Sequence, residues 1–309
     1  MQFWSTIFSL AFGVQILRIS IPYILAATGG LMAERSGVVS LALEGMMLNG
    51  AFAAAALTFA TGSPWLGVLA GMAVGALTAL IHVMVCLRFQ ANQIISGVAI
   101  NLLAAGSTRF LLKWIFDSSS NSPRVEGIPL LNIFPTDAAW GALLNQTIGH
   151  PLVWVTFGAV LLVHQVFKNM PFGMHVEAVG EHPVAAATLG LKVIPIRTIC
   201  VLTSGVLAGL AGAWLALDQH QFTDGMSNGR GYIALAAMIF GQWRPLPVLG
   251  ACLLFGTAEA LQIALQSASV PIPNQFIQML PYVLTIVALA GFMGQSRGPS
   301  ALGQPYEEN

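Results

Sequence analysis

Long apolar stretches broken by short polar clusters make up this chain, and none of them shows strict alternation of apolar and polar positions. Five runs carry no Asp, Glu, Lys or Arg: 45–87, 89–108, 138–167, 198–217 and 260–296. A helix needs about 20 apolar residues to cross a hydrocarbon core. The first and last of these runs, 43 and 37 residues long, are therefore too long for one crossing and must fold back. Taking crossings between polar breaks predicts nine: 8–32, 38–60, 64–87, 92–116, 151–167, 199–217, 231–243, 246–268 and 275–294. The breaks have turn chemistry, as in Thr61-Gly62-Ser63-Pro64, Arg244-Pro245-Leu246-Pro247 and Pro271-Ile272-Pro273-Asn274. The seventh is short enough to be a broken or re-entrant helix. Two connections are longer, an outer loop at 117–150 and a cytoplasmic loop at 168–198.

Composition narrows the class. The 309 residues include 12 Lys+Arg and 12 Asp+Glu, so 8% are charged and 56% are hydrophobic, with mean hydropathy +0.77. A soluble chain carries about 25% charge. A soluble globule, a disordered chain and a nucleic-acid binder, which would need a basic run, are excluded. The missing alternation excludes a porin-like barrel. The expected fold is all-α, one polytopic transmembrane helical domain over 1–309 with about nine membrane segments. Cys86, Cys200 and Cys252 stand singly in apolar runs and read as packing residues. Met1–Leu17 has no basic start, so the first apolar segment is expected to remain in the mature protein.

Orientation follows the excess of Lys and Arg on cytoplasmic loops. Placing 168–198 inside puts Arg35, Arg88, Lys168, Lys192, Arg197, Arg244 and Arg297 inside, against Lys113, Arg124 and Arg230 outside. The N-terminus is then outside and the C-terminal tail inside. Arg18, within the first segment, fits either scheme poorly. Stretches 117–150 and 218–229 are expected to face outward. Small residues recur every four positions at Gly67, Gly71, Gly75 and Ala79, and again at Gly205, Gly209 and Ala213, which suits close helix packing in lipid. A weak echo links Gly37-Val-Val-Ser-Leu-Ala-Leu with Gly231-Tyr-Ile-Ala-Leu-Ala-Ala, the kind of pseudo-repeat seen in transporters.

No catalytic constellation is present: there is no H-E-x-x-H, no Gly-flanked nucleophilic Ser with a reachable His, and no aspartate pair within the membrane. The six histidines are scattered, so no metal site, catalytic residue or cofactor is expected. There is no G-x-x-x-x-G-K-[ST] either, so energy for active transport must come from another subunit. What the apolar runs do hold is sparse polarity. Gln93, Gly97, Asn101, Ala104 and Thr108 fall on one narrow helical stripe, which either lines a passage for a neutral polar solute or bonds a neighbouring helix. Glu44 and Glu259 lie within crossings, where a carboxylate is costly unless paired or protonated. They are candidates for the pathway or for a structural ion pair.

In the cytoplasmic loop, Glu177-Ala-Val-Gly-Glu-His-Pro-Val-Ala-Ala-Ala-Thr-Leu-Gly190 predicts a turn at Gly180, a helix opening with Pro183 at its first position, and Gly190 just past its end. Two turns are marginal alone, so this helix needs support. A partner's groove or the membrane surface could supply it.

Four segments resemble a known family. Ala33-Glu-Arg-Ser-Gly-Val-Val-Ser-Leu-Ala-Leu-Glu-Gly-Met-Met47, Ala91-Asn-Gln-Ile-Ile-Ser-Gly97, Gly180-Glu-His-Pro-Val-Ala-Ala186, and Gly229-Arg-Gly-Tyr-Ile-Ala-Leu-Ala236 followed by Ile239-Phe240-Gly241 are similar to permease subunits of bacterial ABC importers in the branched-chain amino acid, ribose and nucleoside group. They come in the family's order. The Glu-Arg-Ser-Gly-Val-Val opening and the Asn-Gln-Ile-Ile segment look most like the shorter permease of the nucleoside branch. The resemblance implies a bacterial plasma-membrane protein with three partners: an ABC ATPase, a second permease and an extracytoplasmic substrate-binding lipoprotein. It also implies that Gly180, Glu181, His182, Pro183, Ala185, Ala186 and Gly190 form a coupling helix seated in the ATPase. His182 stands where the family more often has Asn, a residue that would likewise cap the helix. Nucleosides are the expected solute, with ribose-like sugars or branched-chain amino acids as alternatives. The rivals of other classes are a stand-alone secondary transporter using Glu44 or Glu259, and an intramembrane enzyme.

Overall fold

A computed structural model describes residues 9–135, 139–267, 273–279 and 298–306, together with positions 283 and 286. Its helices are α1 Leu10–Arg35, α2 Leu43–Thr61, α3 Pro64–Val83, α4 Gln93–Phe116, α5 Ala139–Asn145, α6 Pro151–Asn169, α7 Pro171–Glu181, α8 Pro183–Thr188, α9 Val193–Asp218, α10 Arg230–Phe240, α11 Pro245–Ser267 and α12 Asn274–Gln278. A π-helical turn, Met84–Arg88, extends α3. Among the described residues there is no strand, only a single bridge between Asn121 and Thr223.

Among the described residues, seven helices are long and apolar enough to cross a membrane: α1, α2, α3 with its π extension, α4, α6, α9 and α11. The expected count of nine is not reached among the described residues. The expected seventh crossing, 231–243, is the 11-residue α10, with a rise of only about 16 Å. The expected ninth, 275–294, falls mostly outside the described residues. The second starts later than expected, because 36–42 leaves helical geometry at Gly37, whose φ is +92°, and α2 resumes only at Leu43.

The most enclosed helix is α9, which packs on α1, α2 and α3. The two small-residue stripes meet there. A Cβ on Gly75 would lie 2.3 Å from the Gly205 carbonyl oxygen, one on Gly209 2.2 Å from that of Gly71, and one on Gly212 2.0 Å from that of Met47. Backbone therefore touches backbone, and dispersion across that contact substitutes for the hydrophobic drive that lipid removes. Outward faces carry large apolar side chains, such as Leu102, Phe110 and Trp114 on α4 and Trp154, Leu161 and Leu162 on α6.

The expected loops gather at opposite ends of the bundle. At one end, Ser122 N donates to Phe222 O and Val125 N to His220 O, each at 2.8 Å. This ties the 117–135 stretch to the connection after α9. At the other end lie Arg35, Lys168, α7, α8, Lys192 and the tail 298–306.

The close contacts predict a sharp contrast between glycines. Gly212→Val should lower the melting temperature of the detergent-solubilised protein, since overpacking costs about 1–3 kcal/mol or more. Gly106→Ala, where nothing lies within 4 Å of the added carbon, should not lower it. Equal melting of both variants would refute the packing assignment.

Candidate functional site

Two segments of irregular backbone enter the bundle, and the polar residues singled out in the sequence converge on them. The first is 36–42. Val39 N donates to Gln93 Oε1 at 2.8 Å, Ser40 N to Glu34 Oε1 at 3.2 Å, and Ser40 Oγ to Gly30 O at 3.0 Å. His82 Nε2 lies 3.2 Å from Val39 O and its Nδ1 lies 2.9 Å from Ser96 Oγ. Asn101 completes the set: its Oδ1 accepts from Gly45 N at 2.8 Å, and its Nδ2 donates to Leu41 O and Tyr232 Oη, both at 2.9 Å.

The stripe on α4 thus faces protein. Gln93, Asn101 and Thr108 are buried, Gly97 packs on Leu41, and Thr108 Oγ1 donates to Ala104 O at 2.7 Å. Within the stripe, Asn101 bonds neighbouring helices, Gln93 bonds the 36–42 segment and Thr108 bonds its own helix. Gln93 Nε2 is buried with no partner among the described residues.

The second irregular segment is 219–229, which descends from the end of α9 to the start of α10 and buries Phe222, Met226 and Ser227. Glu44 terminates it. Its Oε1 accepts from Ser227 Oγ at 2.6 Å and Gly229 N at 2.8 Å, and its Oε2 accepts from Gly231 N at 2.7 Å. A carboxylate here meets the unpaired N–H groups and positive dipole end of α10. Only glycine fits at 231, where a Cβ would sit 2.5 Å from Glu44 N.

Glu259 also has partners, remote in sequence. Arg230 Nη2 donates to its Oε1 at 2.7 Å, and the Tyr23 hydroxyl donates to its Oε2. Arg230, expected among the outer loop charges, is therefore a structural cation at the head of α10. Arg18, which fitted neither orientation, pairs with Asp218 at 2.7 Å. Sequence reading missed Glu34, whose Oε2 accepts from Trp243 Nε1 at 2.6 Å. It also missed His82 and Tyr23. Their signal was polarity inside a crossing, the same clue that marked Glu44.

At the opposite end, α7 and α8 form a platform. The turn expected at Gly180 is absent: Gly180 lies in the last turn of α7 against Arg35 O, 2.0 Å from where its Cβ would stand. The chain breaks one position after Glu181, at His182, whose side chain makes no capping bond. Pro183 occupies the first turn of α8 and Gly190, with φ +89°, follows it, as the sequence suggested. Ala186 turns inward onto Val179 and Val193, with Tyr306 beside them. Ala185, Val184 and Leu189 face out, the last two 68% and 84% exposed.

The support for this platform comes from the chain's own C-terminal tail, which the sequence did not mark. Ser300 Oγ donates to Glu181 Oε2 at 2.6 Å, Ala301 N to Gly180 O at 2.9 Å and Gly303 N to Gly37 O at 3.1 Å. The buried Arg197 donates through Nε to Ser36 O at 3.0 Å and through Nη1 to Gln304 O at 3.3 Å. Arg35 donates to Glu177 at 2.8 Å and to Trp243 O at 2.9 Å, joining α1, α7 and the α10–α11 turn. No group of three or more potential metal ligands occurs among the described residues.

Residues 13–289 match the family described as branched-chain amino acid transport system / permease component. The chain belongs to that family. Guanosine ABC transporter permease protein NupQ of Bacillus subtilis is 40% identical, over 95% of this chain and 98% of its own. Nucleoside ABC transporter permease protein NupC of Lactococcus lactis is 35% identical, over 93% of each. TsgC13 of Haloferax volcanii, provisionally named a glucose ABC transporter permease, is 34% identical over 92% of this chain and 93% of its own. A solved inward-facing ABC transporter, provisionally of metal-chelate type, shares the fold with TM-score 0.50 at 14% identity, over 93% of this chain and 88% of that one. The permease is thus a multi-pass membrane component that works with a separate ABC ATPase, and it is not itself an enzyme.

The Arg230–Glu259 pair gives a test of the knot around α10. Arg230→Met leaves the partly buried Glu259 carboxylate without its cation, with only the Tyr23 hydroxyl still donating to it, and should lower stability by less than the about 3–5 kcal/mol of a fully buried pair. Adding Glu259→Met to it should recover most of that loss. A double variant as unstable as Arg230→Met alone would show that the pair is not what the substitution breaks.

Proposed function

We propose that this permease is one membrane-spanning subunit of an ATP-driven nucleoside importer in a bacterial plasma membrane. The observation that carries the substrate class is near-full-length similarity to two permeases named for guanosine and nucleosides. A second reading, a simple sugar, is favoured by the glucose-named relative. Reconstituting the complex with its co-encoded receptor and measuring uptake of labelled nucleosides against glucose separates the two. Accumulation of glucose without nucleoside would overturn the first.

In this reading the chain pairs with a second permease, and an extracytoplasmic binding lipoprotein delivers solute to the end formed by 117–150 and 218–229. The described crossings are completed by 275–294 and by α10 with its re-entrant lead-in, nine in all. Glu44, Gln93, Asn101, Thr108 and Glu259 act as the fixed wall of the pathway, holding α2, α4, α10 and α11 at their spacing. Apart from Gln93 Nε2, the polar groups of these side chains are engaged by the chain itself, which favours scaffolding over ion coupling.

Residues Gly180–Gly190 form the coupling element. Its support is geometric: α8 is short, sits on the Lys/Arg-rich end, rests on its own chain through Ala186, and presents Val184, Ala185 and Leu189 outward. Exposed apolar groups on a braced helix suit a groove in the ATPase better than water. Leu189→Arg should leave the permease in the membrane while solute-stimulated ATP hydrolysis and uptake fall together, at least tenfold. Ala186→Arg should instead reduce the amount of folded protein, because that side chain faces inward. A cysteine at Ala185 should cross-link to the ATPase. Full uptake by Leu189→Arg, with no cross-link from Ala185, would remove the coupling role.

A further inference from the structure

A cavity between α1, α5, α9 and α11 brings the Arg18–Asp218 pair and Arg230 to one wall. Its volume is about 390 Å³, and its wall includes Gln15, Arg18, Gln146, Trp214, Asp218 and Arg230. Sites for small organic molecules run from ~300 to ~1,000 Å³, so this one suits a single small solute. It lies at the end of the bundle where α9 finishes and the 117–135 stretch packs.

Its charges are balanced. Arg18 has Asp218 and Arg230 has Glu259, each at 2.7 Å, so the two cations and two carboxylates sum to zero. His150, whose ring centroid is 4.4 Å from that of Trp214, is pushed down to about 4 by burial, and brings no charge at neutral pH. An anion entering this space meets no uncompensated cation to offset its lost hydration.

The wall nonetheless remains rich in hydrogen-bonding groups. Arg18 engages only Oδ1 of Asp218, and the two side chains are 35% and 24% exposed. The carboxylate can still accept from two adjacent hydroxyls, the guanidinium can still donate, and Gln15 and Gln146 can do both. Ion pairs within crossings of a membrane protein are costly, and where they occur they mark a solute route more often than mere architecture. Arg18 lies eight residues past the start of α1 and reaches Asp218, the last residue of α9, so the pair sits at the mouth of the bundle.

We propose that this cavity is a transient binding site for an uncharged, polyhydroxylated solute of nucleoside size, and that its balanced charges exclude the phosphorylated form. Asp218 takes the vicinal diol of the ribosyl group, while the amides and Arg18 address the heterocycle. This rests on the nucleoside reading above, since a glucose importer would have no use for discrimination against nucleotides.

The test uses the whole complex of both permeases and the ATPase in nanodiscs, with a tritiated azidopurine ribonucleoside as photolabel. In the unsubstituted complex, label should reach peptides of α5 and α9, and unlabelled nucleoside should suppress it while nucleoside monophosphate does not. Gln146→Leu, at an exposed position tolerant of change, should reduce labelling about tenfold, equivalent to ~1.4 kcal/mol. Asp218→Asn leaves Arg18 unpaired and should let the monophosphate compete at least tenfold better. Arg18→Gln combined with Asp218→Asn restores neutrality and should abolish that competition. Label confined to other surfaces, or undiminished in Gln146→Leu, overturns the cavity while nucleoside uptake by the reconstituted importer keeps the substrate reading intact. Absence of nucleoside uptake by the unsubstituted importer overturns both.

Discussion

Backbone that leaves helical geometry inside a membrane bundle has no water to bond, and every N–H and C=O it frees must be met by another part of the protein. Among the described residues this chain does so at 36–42, while 219–229 dips into the bundle from its outer end and buries Phe222, Met226 and Ser227, and much of its intramembrane polarity is spent on the consequences. Gln93, Glu34, His82 and Asn101 serve the first segment, and Glu44 with Ser227 closes the second. Asn101 joins the two, bonded at once to the start of α2 and to Tyr232 of α10. The two stretches that echo each other in sequence are the ones whose ends meet here.

This arrangement gives the permease a rigid centre on which other parts bear. Broken helices cost backbone hydrogen bonds, but they place helix N-termini inside the bundle, where a half-length helix such as α10 is held by a carboxylate at its head and by Glu259 through Arg230. Around that centre, α9 meets α2 and α3 through glycines, without intervening side chains. Helices that touch backbone to backbone move as blocks more readily than they deform. Arg35 then carries the frame outward: it holds α7 through Glu177 and the α10–α11 turn through Trp243 O, while the tail 298–306 straps the same platform to Gly37 and Arg197. A force on α8 therefore acts on a braced surface.

By itself the sequence determined the class. Charge-free runs longer than a bilayer dictate a polytopic helical protein, and glycines every fourth residue dictate close helix contacts. Four ordered segments placed the chain in its permease family. These features are local and periodic, so they survive without coordinates. Pro183 at the start of α8 and Gly190 beyond its end were legible for the same reason, since each acts through its own φ. Only the tertiary structure could decide what the buried polar groups do. Arg230 and Glu259 are 29 residues apart, Arg18 and Asp218 200, and Glu44 and Gly229 185. Ala185 and Ala186 are neighbours in sequence yet face opposite ways, because a short helix turns about 100° per residue and its underside is fixed by Val179, Val193 and a tail more than 100 residues downstream. A pattern of residue types tells which side chains need partners. Which partners they find depends on how the helices cross, and that is settled only when the whole bundle has packed.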